Sequence, residues 1–341
     1  MVPRYATLDG MRGAAALLVA LYHFQQASGV AAIPGYLAVD MFFAISGFII
    51  ARTYCPRLAD GMAFGSFVAA RLARLYPLYL LGLIIGATVA AALATLPPGA
   101  ILSDAGINAL MLPTPFARDL FPLNGPAWSL FFELAVNLLF ALALWRMPAR
   151  AIAAMMAAAA LLLAPEAKGP AYFNLGWDWH SFNQGAERTL YSFSAGVLIH
   201  RWTDARRTSP AALAPLLLLV ALVGARAPEG VRLGWELLCV LALLPGLVAL
   251  GARIEPPPVL RGMFERLGAL SYAVYAIHWP LLPVLAPPLA RLGPIAGAAL
   301  YLAAVIPLAW LAVRCFETPM RAAIRRALQP RPLTTTRPAA P

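Results

Sequence analysis

The feature that most limits this sequence is its division into apolar runs of about 17 to 25 residues, the length a helix needs to cross the hydrocarbon of a bilayer. About ten can be traced, centred near residues 22, 44, 84, 136, 157, 194, 218, 242, 277 and 304. Inside lipid a backbone must satisfy its own hydrogen bonds, so runs of this length are expected to be helices. Hydrophobic residues make up 61% of the 341 and charged residues only 12%, about half the charged share of a soluble domain. The expectation is an all-α integral membrane protein of about ten transmembrane helices.

The charges that remain are distributed unevenly. Most of the 26 Lys and Arg residues fall in alternate connections: Arg4 and Arg12, Arg52 to Arg74, Arg146 and Arg150, Arg201 to Arg207, Arg253 to Arg266, and Arg314 to Arg337. By the positive-inside rule these face the cytoplasm, and both termini go with them. The net charge of +11 then reflects topology. Nucleic-acid binding would need the charge gathered on one exposed face. The first run has the basic start of a signal peptide, but nine more follow, so it is read as a retained helix. Cys55, Cys239 and Cys315 have neither metal-ligand nor disulfide-framework spacing. Residues 1–328 are expected to form one transmembrane domain, and 329–341, "QPRPLTTTRPAAP", a disordered cytoplasmic tail. Of the two long external connections, 96–125 and 165–187, the second carries Trp177, Trp179 and Phe182. These rings suit either sugar faces or an aromatic belt at the headgroups.

Ionisable groups inside the runs cost about 2.5 to 3.5 kcal/mol at the bilayer centre, so each needs a partner in the bundle interior and is a candidate for function. Arg12 and His23 are eleven residues apart, three turns plus about 20°, so they share a face about 16 Å apart along the axis. A lone histidine there is either a packing residue or a base. Asp40, past the Pro34-Gly35 turn, reaches a depth similar to that of His23. It could orient the ring as an Asp–His pair, or sit at a helix N-terminus with the dipole. In "NGPAWSLFFEL", Asn124 suits an N-cap and Pro126 the first turn. Ser129 and Glu133, at i and i+4, share a face, and Glu133 reads as an arginine's partner or as a polar wall. In "LSYAVYAIHWPLL", Ser271, Tyr275 and His278 form one stripe. Pro280 leaves the carbonyl of Ala276 without its helical donor, which suggests a cavity wall or interhelical glue. Arg71 and Arg74 share a face at the mouth of the third run, suited to phosphate or to simple anchoring. No nucleophile elbow, Walker loop or dinucleotide fingerprint is present.

These blocks, taken in order, resemble the membrane acyltransferase-3 family of bacterial O-acyltransferases. "LDGMRG" with His23, "GYLAVDMFFAISGFII", "RLARLYPLY", "AWSLFFEL", "SYAVYAIHWP" and "FETPMR" follow its sequence of motifs from Leu8 to about Arg321. The resemblance implies a ten-helix core in the bacterial inner membrane that uses cytoplasmic acyl-coenzyme A, acetyl first, as a co-substrate, with no permanently bound cofactor. His23 would be the base with Arg12 in the same element, and Arg71 and Arg74 would hold donor phosphates. Ala70 stands where the family often has a further basic residue. The acceptor implied is a glycan or another sugar-containing molecule. The tail implies that transfer is finished in the membrane domain or handed to another protein. Acyl transfer to a hydroxyl needs a base and oxyanion donors. Asp40 would orient His23, and Ser129, Tyr275 and His278 are candidate donors. A proton relay in a secondary transporter uses similar residues and stands as the alternative.

Overall fold

The computed structural model describes residues 4–166, 173–203 and 206–328. The tail predicted over 329–341 lies outside them, as does the middle of the 165–187 connection. Helices follow in chain order: α1 (Ala6–Ala27), α2 (Ala38–Ala59), α3 (Phe64–Ala92), α4 (Pro98–Ala109), α5 (Ala127–Leu144), α6 (Ala149–Glu166), α7 (Phe182–Arg201), α8 (Leu213–Gly224), α9 (Glu229–Gly251), α10 (Pro258–Ala290) and α11 (Pro294–Ala327). Each of the ten run centres falls in one of these helices. The addition is α4, a twelve-residue helix in the first long connection, too short to have registered as a span.

Among the described residues, six helices are long and apolar enough to cross a membrane: α2 (with the turn before it), α3, α5, α9, α10 and α11. The apolar helices α6 and α8 are shorter. At 22 and 20 residues, α1 and α7 have the length but spend part of it on polar residues. The packing explains this, because those polar residues turn inward and meet partners on neighbouring helices rather than lipid.

Helix α1 lies parallel to α10 along most of its length. Small residues permit the approach: a Cβ built on Gly13 would come within 2.5 Å of Leu267 Cβ, and Gly268 lies against Asp9. On the far side α2 packs on α7, so α1, α2, α7 and α10 together form the polar heart of the bundle.

The connections sort to two ends. At one end Ala6 N–H donates to Glu255 (3.0 Å), Thr7 to the Ile254 carbonyl, and Arg206 to Glu255 (2.9 Å). A two-residue parallel pair, Arg207–Thr208 with Ile254–Glu255, closes the same corner. Arg74 meets Glu317, and Arg201 meets the Met147 carbonyl. These are the arginine-rich connections expected to share a side. At the opposite end Leu120 donates to the Trp177 carbonyl and Trp179 to that of Arg118, which ties the two long connections together. Tyr36 and the Phe173 N–H both reach Glu236 there.

Candidate active site

Pro280 shapes the centre of the site. Its ring cannot donate to the carbonyl of Ala276, and the orphaned oxygen takes a hydrogen bond from Asn124 Nδ2 at 3.0 Å. Asn124 therefore does not cap α5 with its side chain, as its position suggested; helix α5 begins at Ala127 without a side-chain cap. Two residues before Pro280, the His278 ring turns Nδ1 toward the carbonyls of Tyr275 (2.8 Å) and Val274 (3.1 Å). Carbonyls only accept, so Nδ1 carries the proton and Nε2 is an acceptor. Nε2 lies 2.9 Å from His23 Nδ1. His23 must then donate from Nδ1, which leaves its own Nε2 with a free lone pair. A ring contact with Trp279, with centroids 4.7 Å apart, fixes the His23 plane from another side.

The expected Asp40–His23 pair does not form. Helix α2 presents the Asp40 carboxylate to α7 instead. There it holds Arg188 at 2.5 Å and 3.3 Å and accepts from Ser192 at 3.3 Å. Arg188 is fully buried and was missed in the sequence. The signal was available: an arginine seven residues into the segment "FNQGAERTLYSFSAG", beyond the first turn of a helix. The place assigned to Asp40 beside His23 belongs to His278.

Arg12 and His23 do share a face, and both meet α10. Arg12 donates to Ser271 Oγ (3.1 Å) and the Gly268 carbonyl (3.3 Å). The Ser271–Tyr275–His278 stripe thus touches three partners in turn: Arg12, Ser129 and His23. Ser129 Oγ and the Tyr275 hydroxyl are 2.6 Å apart. Glu133 accepts from Ser46 (2.8 Å) and pairs with Arg71 at 3.5 Å. Arg74 pairs with Glu317 at 2.7 Å.

Two cavities run through these residues. The inner one, about 150 Å³, is lined by Arg12, Arg71, Arg74, Glu133, Ser129 and Tyr275, among others. The outer one, about 270 Å³, is lined by His23, Gln26, Asp119, Asn174, Trp177 and Tyr275, among others. Tyr275 and Val39 line both, so these two side chains are shared by the walls of the two cavities. Of the three external rings singled out in the sequence, Trp177 lines the outer cavity. Phe182 packs on Phe132 (5.0 Å), and Trp179 stacks on Phe182 (5.4 Å). Asp119, half-buried beside Trp177, has its carboxyl raised above the usual range by burial, against a lowering by Arg118.

A bundle of apolar helices around a polar, two-ended cavity defines a multi-pass membrane protein with an internal site. The chain matches the acyltransferase-3 model, described as an acyltransferase domain, over residues 5–314, and it belongs to that family of acyl-transferring enzymes. Protein 2 in the picA locus of Rhizobium radiobacter is 41% identical over 155 residues, 40% of this chain and 81% of that protein. Acyltransferase MdmB of Streptomyces mycarofaciens is 32% identical over 156 residues, 41% of this chain and 39% of that protein. The exopolysaccharide production protein ExoZ of Rhizobium meliloti is 31% identical over 137 residues, 38% of this chain and 42% of that protein. The matches with MdmB and ExoZ therefore span about two fifths of those proteins' lengths. No solved structure matches the chain. With the family shown, the transporter reading loses its ground.

Proposed function

We propose that this protein transfers an acyl group, acetyl first, from acyl-coenzyme A to a hydroxyl of a glycan or other sugar-containing acceptor in a bacterial cytoplasmic membrane. The donor enters the inner cavity from the arginine-rich, cytoplasmic end, and the acceptor enters the outer cavity from the opposite end. The observation that carries this reading is the sharing of Tyr275 by the walls of both cavities, with His23 in the wall of the outer one. The similarity to ExoZ, an exopolysaccharide production protein, supports a glycan acceptor.

The chemistry follows from the tautomers. His23 Nε2 takes the acceptor's hydroxyl proton while the oxygen attacks the thioester carbonyl. The C–O bond forms, the carbonyl becomes an oxyanion, and Tyr275 and Ser129 supply hydrogen-bond donors to it. Collapse breaks the C–S bond, and the thiolate leaves with the proton returned by His23. His278 keeps the base in the working tautomer by accepting from Nδ1, as a carboxylate does in a triad. Arg12, on the donor side, supports the inner cavity through Ser271 rather than touching His23. Asp40 acts at a distance, by anchoring α2 to α7.

The test incubates membranes holding the protein with labelled acetyl-coenzyme A and bacterial surface glycans. His23→Ala should lower acceptor labelling by about 10²- to 10⁴-fold, the usual worth of a positioned base. Labelling equal to the parent's in that variant would overturn the mechanism.

A further inference from the structure

A third cavity, about 520 Å³, lies at the same end of the bundle as the outer one and shares four of its wall residues: Tyr22, Gln26, Tyr36 and Asn174. It sits between the end of α1, the turn before α2 and the start of α9. Ring contacts fix its place beside the base. Tyr22 meets His23 with centroids 4.8 Å apart, and Tyr36 at 5.5 Å. The volume falls in the range of about 300 to 1,000 Å³ usual for small-molecule sites. Short side chains, those of Ala31, Ala32, Ala225 and Ala227, line it and leave it free.

The polar groups of this cavity divide into two sets. Glu236 accepts from Tyr36 at 2.6 Å, from Arg232 at 2.7 Å and from the Phe173 N–H at 3.0 Å. Arg232 also donates to the Tyr36 hydroxyl at 2.9 Å. That network ties α9 to the turn before α2 and holds the walls in place. The second set is unspent. Arg226 and Glu229 line the cavity and, among the described residues, form no ion pair. The indole N–H of Trp235, another lining residue, is buried without a hydrogen-bond partner, which costs stability unless a ligand supplies one. A guanidinium, a carboxylate and an indole N–H thus offer donors and an acceptor in one space, beside tyrosine and tryptophan rings. Hydroxyls both donate and accept, so a sugar ring carries partners for all three. An anionic ligand would meet Glu229, and a hydrocarbon chain would leave the polar groups unanswered.

We propose that this cavity is a second sugar subsite, and that the acceptor is an oligosaccharide of two or more residues. The residue to be acylated sits in the outer cavity with its hydroxyl at His23 Nε2. Its neighbour in the glycan sits in the third cavity, hydrogen-bonded by Arg226, Glu229 and Trp235. Tyr22, Gln26, Tyr36 and Asn174 belong to both subsites. This rests on the acyl-transfer reading above and deepens it: the substrate class becomes a polysaccharide or its repeat unit, rather than a molecule bearing a single sugar. The neighbouring residue takes no part in the chemistry, so its contacts lower the acceptor KM and leave kcat alone.

For the test, the surface polysaccharide that the parent labels in the membrane assay is cut by partial acid hydrolysis into fragments of one to four residues. Each is given to the purified full chain with labelled acetyl-coenzyme A. For the parent, the acceptor KM should fall by about tenfold or more from one residue to two, the worth of a hydrogen bond to a charged group. Arg226→Gln/Glu229→Gln, at two exposed positions, should raise the KM for the two-residue fragment by about tenfold, with kcat within twofold. Its KM for the one-residue fragment should match the parent's. Trp235→Phe keeps a ring, removes the N–H and should raise the two-residue KM by about threefold. An equal rise for both fragments overturns the subsite, as does a parent that uses one residue as well as two. An alkyl glycoside of one sugar that equals the two-residue fragment would make the third cavity an apolar site and overturn it too. If any of these occurs while His23→Ala abolishes labelling, the subsite fails and the proposed function stands. If the parent labels no glycan, both fail.

Discussion

Two polar pairs cross between helices deep in the bundle, Asp40 with Arg188 and His23 with His278, and they differ in what each leaves unspent. Arg188 has five N–H donors, and all five are used: two on Asp40, one on the Tyr36 carbonyl, and two on the carbonyls of Phe173 and Leu175. The guanidinium also lies over the Trp128 ring at 5.7 Å. Nothing in that pair remains to bind or react. The histidine pair is built the other way. His278 spends both ring nitrogens, one on backbone and one on His23, while His23 keeps one nitrogen free at a cavity wall. Saturation marks a pair that holds helices together; an open valence marks one that can do chemistry.

The comparison breaks first at Arg188. Removing one partner of a buried ion pair costs about 3 to 5 kcal/mol, because the other charge stays buried without an answer. Arg188→Ala should therefore lower the thermal stability of the purified protein sharply, with activity lost in proportion to unfolded protein. Adding Asp40→Ala should recover part of that stability. If Arg188→Ala unfolds like the parent yet transfers no acyl group, the pair belongs to the chemistry after all.

His278 sharpens the same contrast. His278→Ala removes the acceptor that sets the His23 tautomer, and kcat should fall by about 10²-fold, the low end of a base's worth, with unfolding little changed. His278→Gln offers a carbonyl oxygen at a similar reach and should restore a part of the rate. A purely structural role would instead show loss of stability and no rescue by Gln. Tyr275→Phe comes next. Ser129 stays as a second donor, so kcat should drop by about tenfold, the worth of one hydrogen bond to a developing charge. Both KM values should hold.

How much of this could be read in advance follows one physical line. Periodicity along a single helix carries over into space, so the shared face of Arg12 and His23, the Ser271–Tyr275–His278 stripe and the Ser129–Glu133 face were all legible. Contacts between helices depend on rotation as well as depth. Depth alone matched Asp40 to His23, whereas the rotation of α2 aims Asp40 at α7. Arg188 is 148 residues from Asp40 in the chain, and no local spacing connects them. The role of Asn124 was hidden for a related reason. It satisfies a carbonyl freed by Pro280, a need created on another helix. The orphaned carbonyl itself was predictable; which side chain would answer it was not.

The smallest expected effect lies at the outer end, the proposed entrance for the acceptor. Asp119 lines that cavity beside Trp177, and burial raises its carboxyl above the usual range. As a carboxylate it would accept hydrogen bonds from hydroxyls of the proposed acceptor, and such charge-assisted bonds are stronger than neutral ones. Protonation removes that advantage. Because the folded-state value is raised, the loss sets in at a higher pH than for a free aspartate. The acceptor KM should therefore climb as the pH falls through that raised value, while the donor KM stays flat. Asp119→Asn should raise the acceptor KM by about threefold to tenfold and abolish its pH dependence. An acceptor KM that keeps the parent's pH profile in the variant would place the titrating group elsewhere. It would also leave Trp177 as the outer cavity's main contact with the sugar.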